Sequence, residues 1–107
     1  MEVRTNNELK LTIALAALEN VIDPEIQLNI VDLGLVYEIN FNEEQKSVHC
    51  LMTLTTQFCP MGESIKSDTE QTLKQTFPDV EIIVELTFDP AWNHSRISEE
   101  GQKFLNG

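Results

Sequence analysis

Three stretches in which apolar and polar residues alternate constrain the fold of this chain more than any other feature. Leu35 to Phe41 and Ser47 to Thr55 are separated by the polar turn Asn42 to Lys46, and Val80 to Phe88 is the third stretch. Successive side chains of a strand point to opposite faces of a sheet, so each stretch predicts a strand with one face in a core. The short turn between the first two predicts an antiparallel hairpin.

Helical patterns lie before and between these strands. Thr5-Asn6-Asn7-Glu8 resembles a capping box, which predicts that a helix begins there. Asp23-Pro24 predicts the end of this helix, because the residue before a proline disfavours the helical conformation. The seam of this first helix comprises Leu11, Leu15, Leu18 and Ile22. A second helix is predicted from Gly62 to Phe77, and Ser98-Glu99-Glu100 predicts a last helical turn.

This order predicts an α+β fold, a two-layer αββαβ sandwich. It has a three-stranded mixed sheet, helices on one face and an extended C-terminal tail. The 107 residues form a single domain, 1–107. The net charge of −11 opposes binding to nucleic acid or to anionic membranes, because phosphates would be repelled.

The cysteines and the apolar segment Leu11–Leu18 indicate a cytoplasmic protein. Cys50 and Cys59 do not form a disulfide-scaffold pattern, and unpaired thiols are typical of a reducing compartment. A segment of eight residues cannot span a bilayer, and Glu2 and Glu8 disfavour a signal peptide. We therefore interpret Leu11–Leu18 as a core helix.

Cys59 lies where the second strand pattern stops and the second helix pattern begins. Pro60 suits the first turn of a helix, so Cys59 is predicted at or beside the N-cap. The positive end of the helix dipole favours a thiolate there, although Glu63 opposes it. Thr55 and Thr56 supply hydroxyls at the same junction. The simpler interpretation, a small apolar residue at a tight turn, stays open.

Cys50 and His49 do not form a metal site. Cys50 lies in the middle of the second strand among apolar residues, which predicts a core position. Adjacent strand residues point to opposite faces, so these two side chains cannot share an ion. The chain has no pair of Cys or His residues at the spacing of a closed structural zinc site.

Three carboxylates, Asp23, Glu25 and Asp32, follow the first helix. The simpler interpretation, which we favour, is that Asp23 caps the end region of the helix and the other two are solvated. In the alternative, all three lie beside Cys59 and supply oxygen ligands to a metal.

Trp92 is the only tryptophan, in a segment with no strong pattern of its own. Two interpretations are equally good: Trp92 is an anchor packed on the sheet, or it is an exposed residue that contacts a partner. His94 is predicted at the surface.

Several short segments of the chain share their order and spacing with a known family. They are Asp23-Pro24-Glu25-Ile26, Asn29 to Tyr37, Leu54-Thr55-Thr56, Cys59-Pro60, and Trp92 with Ile97-Ser98. In these segments the chain resembles the SufT/PaaD-like family. That family includes bacterial iron–sulfur maturation factors, the eukaryotic cytosolic iron–sulfur targeting factors and an accessory protein of the phenylacetyl-CoA oxygenase pathway.

The resemblance implies the same αββαβ fold and a role in assembling iron–sulfur clusters or delivering them to client apoproteins. It implies that Cys59 is the family's reactive thiol. Asp23, Glu25 and Asp32 correspond to its acidic loop, and Thr55 and Thr56 to its threonines at the strand end. The implied partners are an assembly scaffold and the clients. The segment Pro90 to His94 departs from the family's usual Pro-Pro-Trp-Thr-Pro, and the extra C-terminal cysteines of the phenylacetate-pathway members are absent.

We expect a maturation or carrier factor rather than a turnover enzyme. One cysteine cannot provide a four-thiolate shell, so a labile cluster or iron would occupy a shared site. That site would combine Cys59 from two copies in a homodimer, or Cys59 with ligands from a donor, a client or a small thiol. The alternatives are a metal-free adaptor between clients and scaffold, a phenylacetyl-CoA oxygenase-type accessory protein, and a thiol enzyme or mononuclear iron carrier that uses the nearby carboxylates.

Overall fold

A four-stranded mixed sheet organises the computed structural model, which describes residues 3–56 and 62–106. Strand β1 (Arg4–Thr5), helix α1 (Glu8–Leu18) and the short strands β2 (Ile22–Asp23) and β3 (Leu28–Asn29) come first. Strands β4 (Val36–Asn42) and β5 (Ser47–Met52), helix α2 (Gly62–Thr76) and strand β6 (Glu81–Leu86) follow. A 3₁₀ turn (His94–Arg96) and helix α3 (Glu99–Asn106) end the described chain.

The strand order is β1-β4-β5-β6, so β6 forms one edge of the described sheet. β4 and β5 are antiparallel, which confirms the hairpin, and β5 and β6 are parallel, which makes the sheet mixed as predicted. The prediction of three strands was wrong by one. Arg4 and Thr5 pair in parallel with Glu38 and Ile39, and a two-residue strand is too short to show an alternating pattern.

Asn7, rather than Thr5, is the N-cap of α1. Its Oδ1 accepts a hydrogen bond from the backbone N–H of Lys10 at 3.0 Å, while Thr5 Oγ1 accepts one from Asn7 N–H at 3.1 Å. Asparagine is among the strongest N-capping residues, so the helix starts at Glu8. The helix ends at Leu18, so Ile22 does not belong to its seam. Ile22 lies in β2 and is 46% exposed.

The main core lies between the two long helices and one face of the sheet. Val48, Cys50 and Met52 of β5 are buried in the cluster that also contains residues of both helices. The helix residues in that cluster are Leu11, Ala14, Leu18, Ile65 and Leu73. Both helices therefore cover the same face, as predicted.

Alternation fails at two positions. A register shift between Val36 and Glu38 leaves both Val36 and Tyr37 buried. In the predicted strand Ser47 to Thr55, alternation puts Thr53 on the face opposite Met52 and Leu54, but Thr53 is fully buried just beyond the end of β5. Strict alternation holds only where the ladder is regular, and a bulge adds one residue to one strand.

The segment after β6 is hydrogen-bonded to the loop that precedes β4 and to the start of β4 itself. Tyr37 Oη donates to the Pro90 carbonyl at 2.7 Å, and Trp92 Nε1 donates to the Leu33 carbonyl at 2.6 Å. The other two bonds run from Arg96 Nε to the Gly34 carbonyl at 3.0 Å and from the Ser98 backbone N–H to the Asp32 carbonyl at 2.8 Å. We call these contacts between residues 90–98 and 32–37 the tail clamp.

Ser98 begins the last helix as predicted. Its Oγ accepts a hydrogen bond from the Gly101 backbone N–H at 3.0 Å. The helix is longer than the single turn that the sequence predicted, because it reaches Asn106. Within the part of the chain that the structure describes, no helix has the length and apolar character needed to cross a bilayer.

Candidate functional site

The junction that contains Cys59 connects β5 to α2. β5 ends at Met52 and α2 begins at Gly62, so a strand lies before the junction and a helix after it, as the sequence predicted. Residues 57–61, and with them Cys59, lie outside the described residues. Thr55 is half-buried and Thr56 is exposed. The roles assigned to these three residues remain predictions.

Asp23 is buried and organises the turn between β2 and β3. Its side chain is 1% exposed, and Oδ1 accepts hydrogen bonds from the backbone N–H groups of Glu25 at 2.9 Å and Ile26 at 3.4 Å. Because α1 ends five residues earlier, Asp23 does not cap the helix end, and that part of the simpler interpretation was wrong. Aspartate stabilises such turns by bonding to the backbone two residues on. Glu25 is exposed at the same turn.

Asp32 is half-buried and connects its loop to the tail. Oδ2 accepts from Asn29 Nδ2 at 2.7 Å and Oδ1 from Ser98 Oγ at 2.8 Å. Asp32 is therefore a structural hydrogen-bond acceptor rather than the solvated charge that we favoured. Across residues 3–56 and 62–106, no three Asp, Glu, His or Cys side chains are grouped as metal ligands would be. A metal role for Asp23, Glu25 and Asp32 with Cys59 remains a prediction.

Cys50 occupies the core position that the alternation predicted. It is fully buried, and desolvation raises the pKa of its thiol to about 12 from the usual 9.0. A thiol in this state is neutral at physiological pH and shielded from solvent, so it is a poor nucleophile and a poor metal ligand.

Trp92 packs against the core, and its indole N–H is used within the chain by the tail clamp. The ring of the exposed His94 lies 5.1 Å from the indole ring. These contacts support the interpretation of Trp92 as an anchor. Its predicted contact with a partner is not tested by them.

We expect Trp92→Phe to lower the free energy of unfolding by about 1–3 kcal/mol, because the Leu33 carbonyl loses its donor while most of the ring packing is kept. Denaturant unfolding followed by circular dichroism measures this, since the variant has no tryptophan fluorescence. Phe88→Tyr, at a 39% exposed position outside the clamp, is the control and should change little. Equal midpoints for the wild type and Trp92→Phe would show that the indole bond does not stabilise the fold.

Sequence reasoning missed Tyr37 and Arg96 as a pair. The Arg96 guanidinium lies over the Tyr37 ring at 4.0 Å from its centroid, and Arg96 Nε is bonded to Gly34. A cation over an aromatic face is attractive. Tyr37 ends one of the segments that match the family, but Arg96 belongs to no motif and lies 59 positions further along the chain, so no sequence signal pointed to the contact.

The family assignment rests on the middle of the chain. Residues 13–86 match the family model described as iron–sulfur cluster assembly protein. This segment includes Cys59, both threonines and the acidic loop, whereas Trp92 lies beyond it.

Relatives of similar length carry related names. A Bacillus subtilis protein named Fe-S protein maturation auxiliary factor YitW is 35% identical over 85 residues, which cover 78% of this chain and 81% of the relative. A Staphylococcus aureus protein named Fe-S protein maturation auxiliary factor SufT is 38% identical over 79 residues, which cover 73% of this chain and 88% of the relative.

Solved structures share the fold. A Bacillus anthracis domain of unknown function, DUF59, superposes with a TM-score of 0.83 at 35% identity and covers 94% of this chain and 98% of its own. A Thermotoga maritima protein titled as conserved and hypothetical gives a TM-score of 0.76 at 40% identity, with full coverage of both chains. The α+β fold and the resemblance seen in the sequence are confirmed. The chain belongs to the family of iron–sulfur cluster assembly proteins.

Proposed function

We propose that this protein is an accessory factor that assists the assembly of iron–sulfur clusters or their delivery to client apoproteins. The observation that carries the proposal is the family match over residues 13–86, which spans the strand-to-helix junction holding Cys59. The relatives named as maturation auxiliary factors support an accessory role rather than turnover of a substrate. Its partners would be an assembly scaffold and client apoproteins in the cytoplasm.

Cys59 is the thiol proposed to act. Cys50 is buried with a raised pKa, so it cannot serve as a ready thiolate. α2 is 15 residues long, and the positive end of its dipole favours an anion at the junction that precedes Gly62. The hydroxyls of Thr55 and Thr56 would donate hydrogen bonds to a sulfur or oxygen atom held there.

A single thiolate implies a shared and labile site. Protein-bound clusters are usually held by four ligands, so Cys59 would hold a cluster together with a second copy, a donor, a client or a small thiol. Few ligands from one chain would allow the cluster to leave, which a delivery step requires. Iron and sulfide are cargo in this scheme, not resident cofactors.

A metal-free adaptor is the second candidate, and the carboxylates favour it. Asp23 and Asp32 already accept hydrogen bonds from the chain itself, as structural acceptors do. In this scheme the acidic loop holds a surface that partners recognise, and Cys59 is dispensable.

Anaerobic reconstitution with iron and sulfide separates the two candidates. We expect the wild type and Cys50→Ala to gain a visible chromophore with stoichiometric iron, and Cys59→Ala to gain neither. Cys50→Ala is the matched control because it removes a thiol that is shielded in the core. Absence of bound iron from all three proteins, even with an added thiol and at high protein concentration, would favour the adaptor.

A further inference from the structure

A cavity of about 290 Å³ lies between α1, the Gly34 turn and the tail clamp. Its apolar lining comprises Val3, Leu11, Leu15, Val31 and Val36. Its polar lining comprises Glu8, Asp32, Arg96 and Ser98. Ligand sites combine such apolar walls with a few fixed polar groups, and this volume is near the lower end of their range.

Arg96 is held in place before any ligand arrives. Its Nε donates to the Gly34 carbonyl at 3.0 Å, and its guanidinium stacks on Tyr37. Within residues 3–56 and 62–106, no carboxylate lies in ion-pair range of Arg96, although the chain has 18 acidic and 7 basic residues. A planar guanidinium in this state suits a carboxylate, which it can bind through two parallel hydrogen bonds.

Two carboxylates line the same cavity without neutralising Arg96. Asp32 is oriented by Asn29 and by Ser98, while Glu8 is exposed at the start of α1. A purely anionic ligand would be repelled by these carboxylates, and a purely cationic ligand by Arg96. A ligand that carries both charges at separate atoms matches all three groups.

We propose that this cavity binds a small zwitterion, an α-amino acid with an aliphatic side chain. Its carboxylate would accept hydrogen bonds from the Arg96 guanidinium, and its ammonium group would face Asp32 and Glu8. Its side chain would lie on the apolar wall that Leu11, Leu15 and Val36 contribute. The proposal goes beyond the function of Cys59 and does not depend on it.

Titration of the isotope-labelled protein with L-leucine, followed by NMR, tests the proposal. We expect saturable shifts at residues 31–36 and 96–98. Isocaproate lacks the ammonium group and isoamylamine lacks the carboxylate, so each should bind at least about tenfold more weakly. Equal affinity for isocaproate and leucine would overturn the proposal in favour of a simple anion site, and the absence of saturable shifts with leucine would overturn it outright.

Variants locate the site and separate binding from folding. Arg96→Gln should weaken leucine binding at least about tenfold, Arg96→Lys should restore part of it, and Glu8→Gln should weaken it less, because Glu8 is exposed. Lys66→Gln, on α2 and outside the cavity lining, is the control and should bind as the wild type does. If Arg96→Gln does not fold, Leu15→Phe fills the cavity from a half-buried position and should abolish binding. Unchanged binding by folded Leu15→Phe would place the ligand elsewhere and refute the proposal.

Discussion

Gly34→Ala is expected to lower the free energy of unfolding by about 3 kcal/mol or more. Gly34 has φ of +77°, a conformation that side chains make costly by about 1–3 kcal/mol. A Cβ built there would lie 2.3 Å from the Arg96 carbonyl oxygen and 2.7 Å from Arg96 Cβ, so the turn and the tail could not keep their present separation. Denaturant unfolding of the variant and the wild type measures the loss.

Two comparisons show whether the close approach causes the loss. Lys46→Gly removes a Cβ from another residue with positive φ, 51°, at an exposed turn, and should change the free energy of unfolding by about 1 kcal/mol or less, which bounds the cost of positive φ alone. Arg96→Ala in the Gly34→Ala background should not restore stability, because the closest atom belongs to the backbone. Unfolding of Gly34→Ala at the wild-type midpoint would contradict this account of the turn.

Cys50 is expected to make the protein less stable as the pH rises from 9 towards 12. Burial raises the pKa of its thiol to about 12 in the folded state, while the unfolded thiol titrates near 9.0. Below pH 9 both states hold the proton, so the stability linked to this group is fully present. Between the two pKa values the unfolded state alone loses the proton, and the free energy of unfolding falls by about 1.4 kcal/mol per pH unit.

The contribution of Cys50 is separated from that of other groups that titrate in this range by comparing how steeply the free energy of unfolding falls with pH in the wild type and in variants. Unfolding free energies measured from pH 8 to 11 should fall less steeply for Cys50→Ala than for the wild type, by about 1.4 kcal/mol per unit above pH 9. Cys59→Ser changes the other thiol and should keep the steeper slope. If Cys50→Ala and the wild type have parallel profiles, the Cys50 thiol does not stay protonated in the folded core.

Local periodicity was enough to predict most of the architecture. The β4–β5 hairpin, both long helices and the start of the last helix at Ser98 follow from alternation, apolar seams and caps. The tail clamp could not be predicted in this way, because its side-chain bonds join residues 53 to 62 positions apart. The strands β1, β2 and β3 have two residues each, which is too few to define a period.

Only part of the candidate site could be predicted, because local patterns do not report contacts between residues that are distant in the sequence. Pro60 predicts a helix start and so places Cys59 between a strand and a helix, and the structure has β5 before this segment and α2 after it. Cys59 itself lies outside the described residues, so its position at the helix start stays a prediction. The burial of Asp23 was missed because Asp-Pro also marks the end of a helix, and sequence alone does not separate the two uses. Arg96 belongs to no sequence motif. Its contacts with the Gly34 carbonyl and the Tyr37 ring are visible only in the folded structure.

Within residues 3–56 and 62–106, β6 forms an edge of the sheet, and this edge limits how two copies of the chain can meet. Glu81 and Glu85 are exposed on either side of Ile83 along this strand. Charged side chains on an edge strand discourage pairing with another edge, because like charges would be brought together. A cluster bridged by two Cys59 thiols would therefore require the copies to approach through a surface other than the β6 edge.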